Sequence, residues 1–236
     1  MSWLAETTAV LAKEARSEWR TRVAAASLGL FVAGALALIG LAFARLSPSP
    51  ELRLEINTQI AAALLWLVIL FTAATGLGRA FLVEEERGTA IALRLHGRPT
   101  AVWTGKFLAN TAQILLLSAV TAPILFQILG VDVRHPVPLV LSVALGCTGV
   151  AAVFSFTGAV VAQTSARGGL LAALSFPVLL PQFASGVDST LRAIGFRATL
   201  STDFWSTSGG GIVQLASYDA IAITAALLLF EHIWNE

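Results

Sequence analysis

The sequence has little of what soluble enzymes and secreted domains rely on. It holds one cysteine, Cys147, in 236 residues, which excludes an intrachain disulfide, a CxxC redox pair and a CxxCH haem-attachment site. Asp, Glu, Lys and Arg make up only 12% of the chain, against about 25% in a soluble domain. Their balance is a net charge of +1, with neither a basic excess to hold nucleic acid nor an acidic tail. The three histidines, His96, His135 and His232, stand far apart and have no cysteine or carboxylate neighbours at ligand spacing, so no metal site is expected. His135 reads as a solvated residue of the short 131–136 loop. No Ser/His/Asp constellation is placed for nucleophilic work, and no catalytic residue is expected. A GxxxxGK[ST] loop is missing too: Phe107 follows Gly105-Lys106, and position 100 is Thr100, not glycine. ATP hydrolysis through a P-loop of its own is therefore excluded, and the chain is not expected to be an enzyme.

What is abundant is apolar length. Hydrophobic residues make up 56% of the chain and the mean hydropathy is +0.80, which points to an all-α integral membrane protein. Residues 23–44, 56–78, 107–131, 135–166 and 168–187 carry no Asp, Glu, Lys or Arg, and a last apolar segment covers about 212–233. A helix needs about 20 apolar residues to cross a hydrocarbon core of about 30 Å. These runs predict six transmembrane helices, at about 23–44, 58–80, 107–130, 137–163, 169–187 and 212–233. The first is too long for a signal peptide, and a region containing Glu6, Glu14 and Glu18 precedes it. Basic residues gather before the first span (Lys13, Arg16, Arg20, Arg22), in the 79–106 loop (Arg79, Arg87, Arg94, Arg98, Lys106) and at Arg167. The opposite side has only Arg45, Arg53, Arg134, Arg192 and Arg197. The positive-inside rule then places both termini in the cytoplasm.

Residues 1–22 are expected to form an amphipathic interfacial helix, with Leu4, Thr8, Leu11, Ala15 and Trp19 on one face and Lys13, Arg16 and Arg20 on another. A plain basic lead-in to the first span fits the same pattern. Residues 23–236 make the transmembrane domain. Within it Ala151, Ser155 and Ala159 form a small-xxx-small face for close helix approach. Pro177 and Pro181, one turn apart, predict a bent or locally unwound fifth span. Segment 188–211 is too polar to cross; Leu191, Ile194 and Phe196, then Phe204-Trp205 and Gly209-Gly210-Gly211, suggest a short outer-face interfacial helix followed by a flexible turn. Asp219 and Glu231 are the polar candidates of the last span. Asp219 lies well inside the apolar segment, where a charge is costly, and a packing or hydrogen-bonding role is the expectation for it.

The largest inner loop, 79–106, contains Glu84-Glu85-Glu86-Arg87-Gly88-Thr89, then Leu93, Leu95, Pro99 and Gly105-Lys106. It reads as a short helix N-capped by Thr89, carrying exposed Leu93 and Leu95 and closed by Pro99. This loop resembles the coupling region of ABC-2-type (type V) exporter permeases. The likeness continues through Lys13-Glu14-Ala15-Arg16-Ser17-Glu18-Trp19-Arg20-Thr21-Arg22, Gln163-Thr164-Ser165-Ala166-Arg167, Phe176-Pro177-Val178-Leu179-Leu180-Pro181 and Tyr218-Asp219, with Leu229-Phe230-Glu231 further on. In that order these segments are similar to the haem exporter B family (CcmB), the permease subunit of the cytochrome c maturation system. Gly168-Gly169 and the 188–211 segment depart from the family pattern.

The resemblance implies an ABC-2-type fold of six transmembrane helices with an N-terminal interfacial helix. It implies a homodimer working with a separate CcmA-like ATPase and with CcmC-like and CcmD-like haem-handling membrane partners. ATP would bind the partner subunit, haem would be handled by the complex, and no cofactor would bind this chain directly. ATP hydrolysis would drive haem export or release of a haem-loaded periplasmic chaperone, coupled through Glu84, Glu85, Glu86, Arg87, Gly88, Thr89, Leu93, Leu95 and Pro99. Two other readings are an ABC-2 permease for a lipid-linked glycan or drug, and a non-transporting membrane scaffold.

Overall fold

The computed structural model describes residues 2–21, 23–44, 50–77, 79–86, 88–164, 170–195 and 209–235. They form helices and turns, with no β-strand among the described residues. In chain order the helices are α1 (Trp3–Thr21), α2 (Val23–Ala44), α3 (Pro50–Gly76), α4 (Arg79–Glu86), α5 (Ala90–His96), α6 (Pro99–Leu129), α7 (Pro136–Ala162), α8 (Leu170–Ala193) and α9 (Gly210–Asn235). Among the described residues five stretches are long and apolar enough to cross a membrane: Ala26–Ala44, Asn57–Glu86, Pro99–Leu129, Pro136–Ala162 and Gly210–Trp234. In a bilayer, helices satisfy every backbone polar group within the segment, and so the apolar runs fold this way.

Helix α7 is the centre of the bundle and packs on α3, α4, α6, α8 and α9. Its small residues make that possible. Ala151, Ser155 and Ala159 are all buried, and Ser155 Oγ accepts a hydrogen bond from Asn110 Nδ2 of α6 at 2.8 Å. A Cβ at Gly146 would overlap the Trp66 ring, and so would one at Gly186 of α8. The Trp66 indole of α3 therefore sits in a slot between two glycines, and its Nε1 donates to Thr190 Oγ1 at 3.0 Å.

Several boundaries differ from the sequence expectations. Helix α6 starts at Pro99, not at 107, with Pro99 at its first turn and Gly130 in the left-handed conformation (φ 64°) at its C-cap. Pro99 thus opens α6 instead of closing the helix before it, the position where its missing N–H and fixed φ fit best. Pro177 and Pro181 lie inside a continuous α8 with no unwound stretch. Residues 188–193 extend that helix, so the outer-face segment is not a separate interfacial helix in this part. Gly210 and Gly211 are the first residues of α9, not a turn; Gly211 has no Cβ to collide with Ser189 of α8. Arg87, Arg167, Gly168, Gly169 and residues 196–208, which include Phe196, Arg197, Phe204 and Trp205, lie outside the described residues.

Helix α8 runs antiparallel to α7, with Ser175 beside Thr157 (Oγ to Oγ1, 2.7 Å) and Gln182 near Leu145. Its buried polar residues are Ser175, Gln182, Ser185, Ser189 and Thr190. They face protein, while residues 170–187 of the helix carry no charge. The helix directions put α1, α4, α5 and the end of α9 at one end of the molecule. The 130–136 loop lies at the other, where the His135 N–H donates to Ala193 O at 2.9 Å.

Candidate functional site

At the end that holds both termini, four charged side chains from three helices interlock. Lys106, in the second turn of α6, has a side chain with 0% exposure. Its Nζ donates to Glu14 Oε1 of α1 at 2.6 Å and to Glu84 Oε1 of α4 at 3.5 Å. Lys13 of α1 also donates to Glu84 Oε1 and lies 3.6 Å from Glu14. An isolated ammonium taken out of water costs several kcal/mol. Here two lysines and two glutamates compensate one another, and the Phe81 ring, 5.1 Å from Lys106 Nζ, adds its π face.

The cluster holds α1 alongside α6. Trp3 Nε1 donates to Thr100 Oγ1 at 3.1 Å, the Arg98 N–H donates to Glu6 Oε2 at 3.1 Å, and Val10 packs where a Cβ on Gly105 would stand. The inward face of α1 is therefore built on Thr7 and Val10, which are buried. Of the predicted apolar face, Leu4, Thr8 and Ala15 point outward and Leu11 is half-buried; the Trp19 side chain lies outside the described ones.

The chain leaves α4 through Gly88, whose φ of 67° suits a glycine. Thr89 occupies the N-cap position of α5 but makes no side-chain cap. Its hydroxyl donates instead to a Glu84 carboxylate oxygen, and its N–H to Glu84 O at 3.0 Å. Of the three glutamates, Glu84 is buried, Glu85 half-buried and Glu86 exposed. On α5, Leu95 is 75% exposed but Leu93 is half-buried against the core. Residues two apart on a helix face different ways. The exposed pair is Ile91, at 65%, with Leu95, spaced i and i+4. Arg94 turns inward, its guanidinium 5.2 Å from the Trp234 ring centroid of α9.

In the other half of the bundle, Asp219 of α9 is 5% exposed. Its Oδ1 accepts from Gln182 Nε2 of α8 at 2.9 Å, and the same nitrogen lies 3.4 Å from Leu145 O of α7. A Cβ on Gly149 would strike both side chains, so that glycine admits the contact. Asp219 Oδ2 and Gln182 Oε1 are buried with no hydrogen-bond partner among the described residues. Tyr218 OH donates to Val178 O at 2.5 Å, next to the proline pair of α8. Glu231 is exposed. Asp219 thus meets an amide, while the two candidates of the last span stay apart. Between α6 and α7 an apolar cavity of about 630 Å³, lined by Ala119, Ala122, Phe126, Val140 and Val143 with Asp132 beside them, opens outward.

Cys147 is buried, its Sγ 3.3 Å from Ser118 Oγ. His135 is half-buried at the N-cap of α7 and His232 is exposed. Among the described residues no three His, Cys, Asp or Glu side chains come together to hold a metal. The chemistry of the arrangement is ion pairing, hydrogen bonding and an exposed apolar pair on a seven-residue helix.

Sequence reasoning passed over Lys106, Ile91, Arg94, Trp234 and Gln182. Two of these left a signal: Lys106 adjoins a long charge-free run, and Gln182 is the one amide within 168–187. A family model described as CcmB protein matches residues 5–229. No curated protein matches the chain.

Proposed function

Because the chain belongs to the CcmB family, whose members are membrane components of haem export and cytochrome c maturation, we propose that it is the permease subunit of an ATP-driven complex. In this reading it has the ABC-2-type fold and crosses the bacterial inner membrane six times. Helix α8 is the crossing added to the five apolar stretches, fifth in chain order, and both termini are cytoplasmic. A CcmA-like ATPase binds at the end that carries α5, CcmC-like and CcmD-like partners handle haem, and the permease works as a homodimer. ATP stays on the partner, and this chain transmits force without ligating haem.

The observation that carries the reading is α5. Its apolar pair Ile91 and Leu95 is exposed, while its flanks are anchored through Thr89 to Glu84 and through Arg94 to Trp234. An amphipathic helix with anchors at this spacing suits a partner groove. Glu85 and Glu86 beside it supply charge for register.

Two measurements test the proposal. Haem staining of membranes from a deletion strain is expected to show loss of covalent c-type cytochromes with b-type cytochromes intact; normal c-type levels would leave an exporter of another cargo. Ile91→Ser with Leu95→Ser is expected to abolish co-purification of the ATPase while the permease stays in the membrane at normal levels. Retention of the ATPase by that double variant would exclude α5 as the docking element.

A further inference from the structure

Helix α9 joins the two regions described above. At its inner end Trp234 stacks on Phe230 with centroids 5.2 Å apart. It meets the Phe81 ring of α4 edge-on at 6.2 Å and lies under the Arg94 guanidinium at 5.2 Å, within cation–π range. Gln163 Nε2 donates to Ile233 O at 2.5 Å, fixing the same end to α7. At its outer half, 15 residues back, α9 carries Asp219 on Gln182 and Tyr218 on Val178 O. At 1.5 Å per residue that is about 22 Å along the helix axis.

The elements differ in stiffness in a way that favours this route. Helix α5 has only seven residues, with Gly88 before it and Gly97 after it, and is a single short rigid piece. Helices α6 and α8 contain Pro123, Pro177 and Pro181, each of which removes an intrahelical hydrogen bond. Helix α9 has no proline, and no glycine after Gly211. Trp234 also lies beyond the matched residues 5–229.

We propose that Arg94 and Trp234 are a positioning pair that carries displacement of α5 into α9, and through α9 to the Asp219–Gln182 contact in the outer half of the bundle. This rests on the reading of α5 as the ATPase-docking helix. The warrant is physical connection between two rigid pieces, which a coupling measurement must complete. Arg94 points inward, away from Ile91 and Leu95, so its removal leaves the docking face as it was.

The test uses the permease with its ATPase in lipid vesicles. In a Cys147→Ala background, spin labels at Asp132→Cys and Gln214→Cys report the outer-end distance with and without ATP. The expected result is an ATP-dependent change in the parent. Arg94→Ala, Trp234→Ala and the double variant should each lose it, with no further loss in the double, while ATPase co-purification is unchanged. Arg94→Lys and Trp234→Phe keep a cation and a ring and should keep part of the change, which separates positioning from misfolding. Persistence of the full change in both alanine variants overturns the proposal. So does a parent that binds the ATPase but shows no change, or loss of ATPase binding in Arg94→Ala, which would make Arg94 a docking residue. Failure of the parent to bind any ATPase would instead remove the docking reading itself.

Discussion

The two polar regions of this bundle handle burial in opposite ways. At the inner end each buried charge has an opposite partner: Lys106 with Glu14 and Glu84, and Glu84 with Lys13 as well. In the outer half Asp219 has an amide and, among the described residues, no cation, and two acceptor atoms have no donor among them. The first arrangement is a closed set that locks three helices together and is damaged by losing any member. The second is an open set, held by one hydrogen bond, and it tolerates a change that adds a donor. An inner end that must keep α1, α4 and α6 in register favours the first. A contact between α8 and α9 that has to yield favours the second.

The largest effect is expected from Lys106→Met, which leaves Glu14 and Glu84 sharing Lys13. Removing one member of a buried pair costs about 3–5 kcal/mol; the partial hydration of Glu14 puts this variant near the low end. Thermal unfolding in detergent micelles is expected to show a large drop in Tm. Adding Glu14→Gln and Glu84→Gln should restore much of it, and a triple variant no better than Lys106→Met would show that the charges are not the cause. Next comes Gly149→Ala. Its methyl group overlaps both Gln182 and Asp219, and overpacking of this kind costs about 1–3 kcal/mol. A Tm equal to that of the parent would mean that α7 and α8 are not held as closely as described. The smallest effect separates Asp219→Ala from Asp219→Asn. Alanine deletes the Gln182 bond and is expected to cost about 1 kcal/mol. Asparagine keeps an acceptor, replaces the idle Oδ2 with an N–H donor facing the idle Gln182 Oε1, and should match the parent. An asparagine variant less stable than the alanine one would show that the carboxylate is needed as such.

Much of the fold was legible because the bilayer imposes length. Charge-free runs mark α2 and α7 almost to the residue: 23–44 against Val23–Ala44, and 137–163 against Pro136–Ala162. Legibility failed where a distant partner changes what a residue means. Lys106 reads as the end of a charged loop, but Glu14, 92 positions away, buries it within the first turns of α6. Helix α5 is too short for periodicity to set its phase, so Leu93 and Leu95 read as a pair although they face different ways, and Ile91 was passed over. Asp219 was conspicuous as a carboxylate in an apolar run. Its partner was not, because a lone glutamine carries no charge to mark it.

The low apolarity of α8 bears on how the chain is put together in the bilayer. A helix enters lipid unaided when its own side chains favour the transfer, and buried Gln182, Ser185, Ser189 and Thr190 oppose it. Those groups are sheltered by α7, made before α8, and by α9, made after it. A chain released before residue 210 would keep the α7 side of that shelter but lack the α9 side, where Asp219 meets Gln182 and Gly211 meets Ser189. The place of α8 across the membrane is decided by its neighbours in the order of synthesis, and the 26 residues of α9 complete its environment.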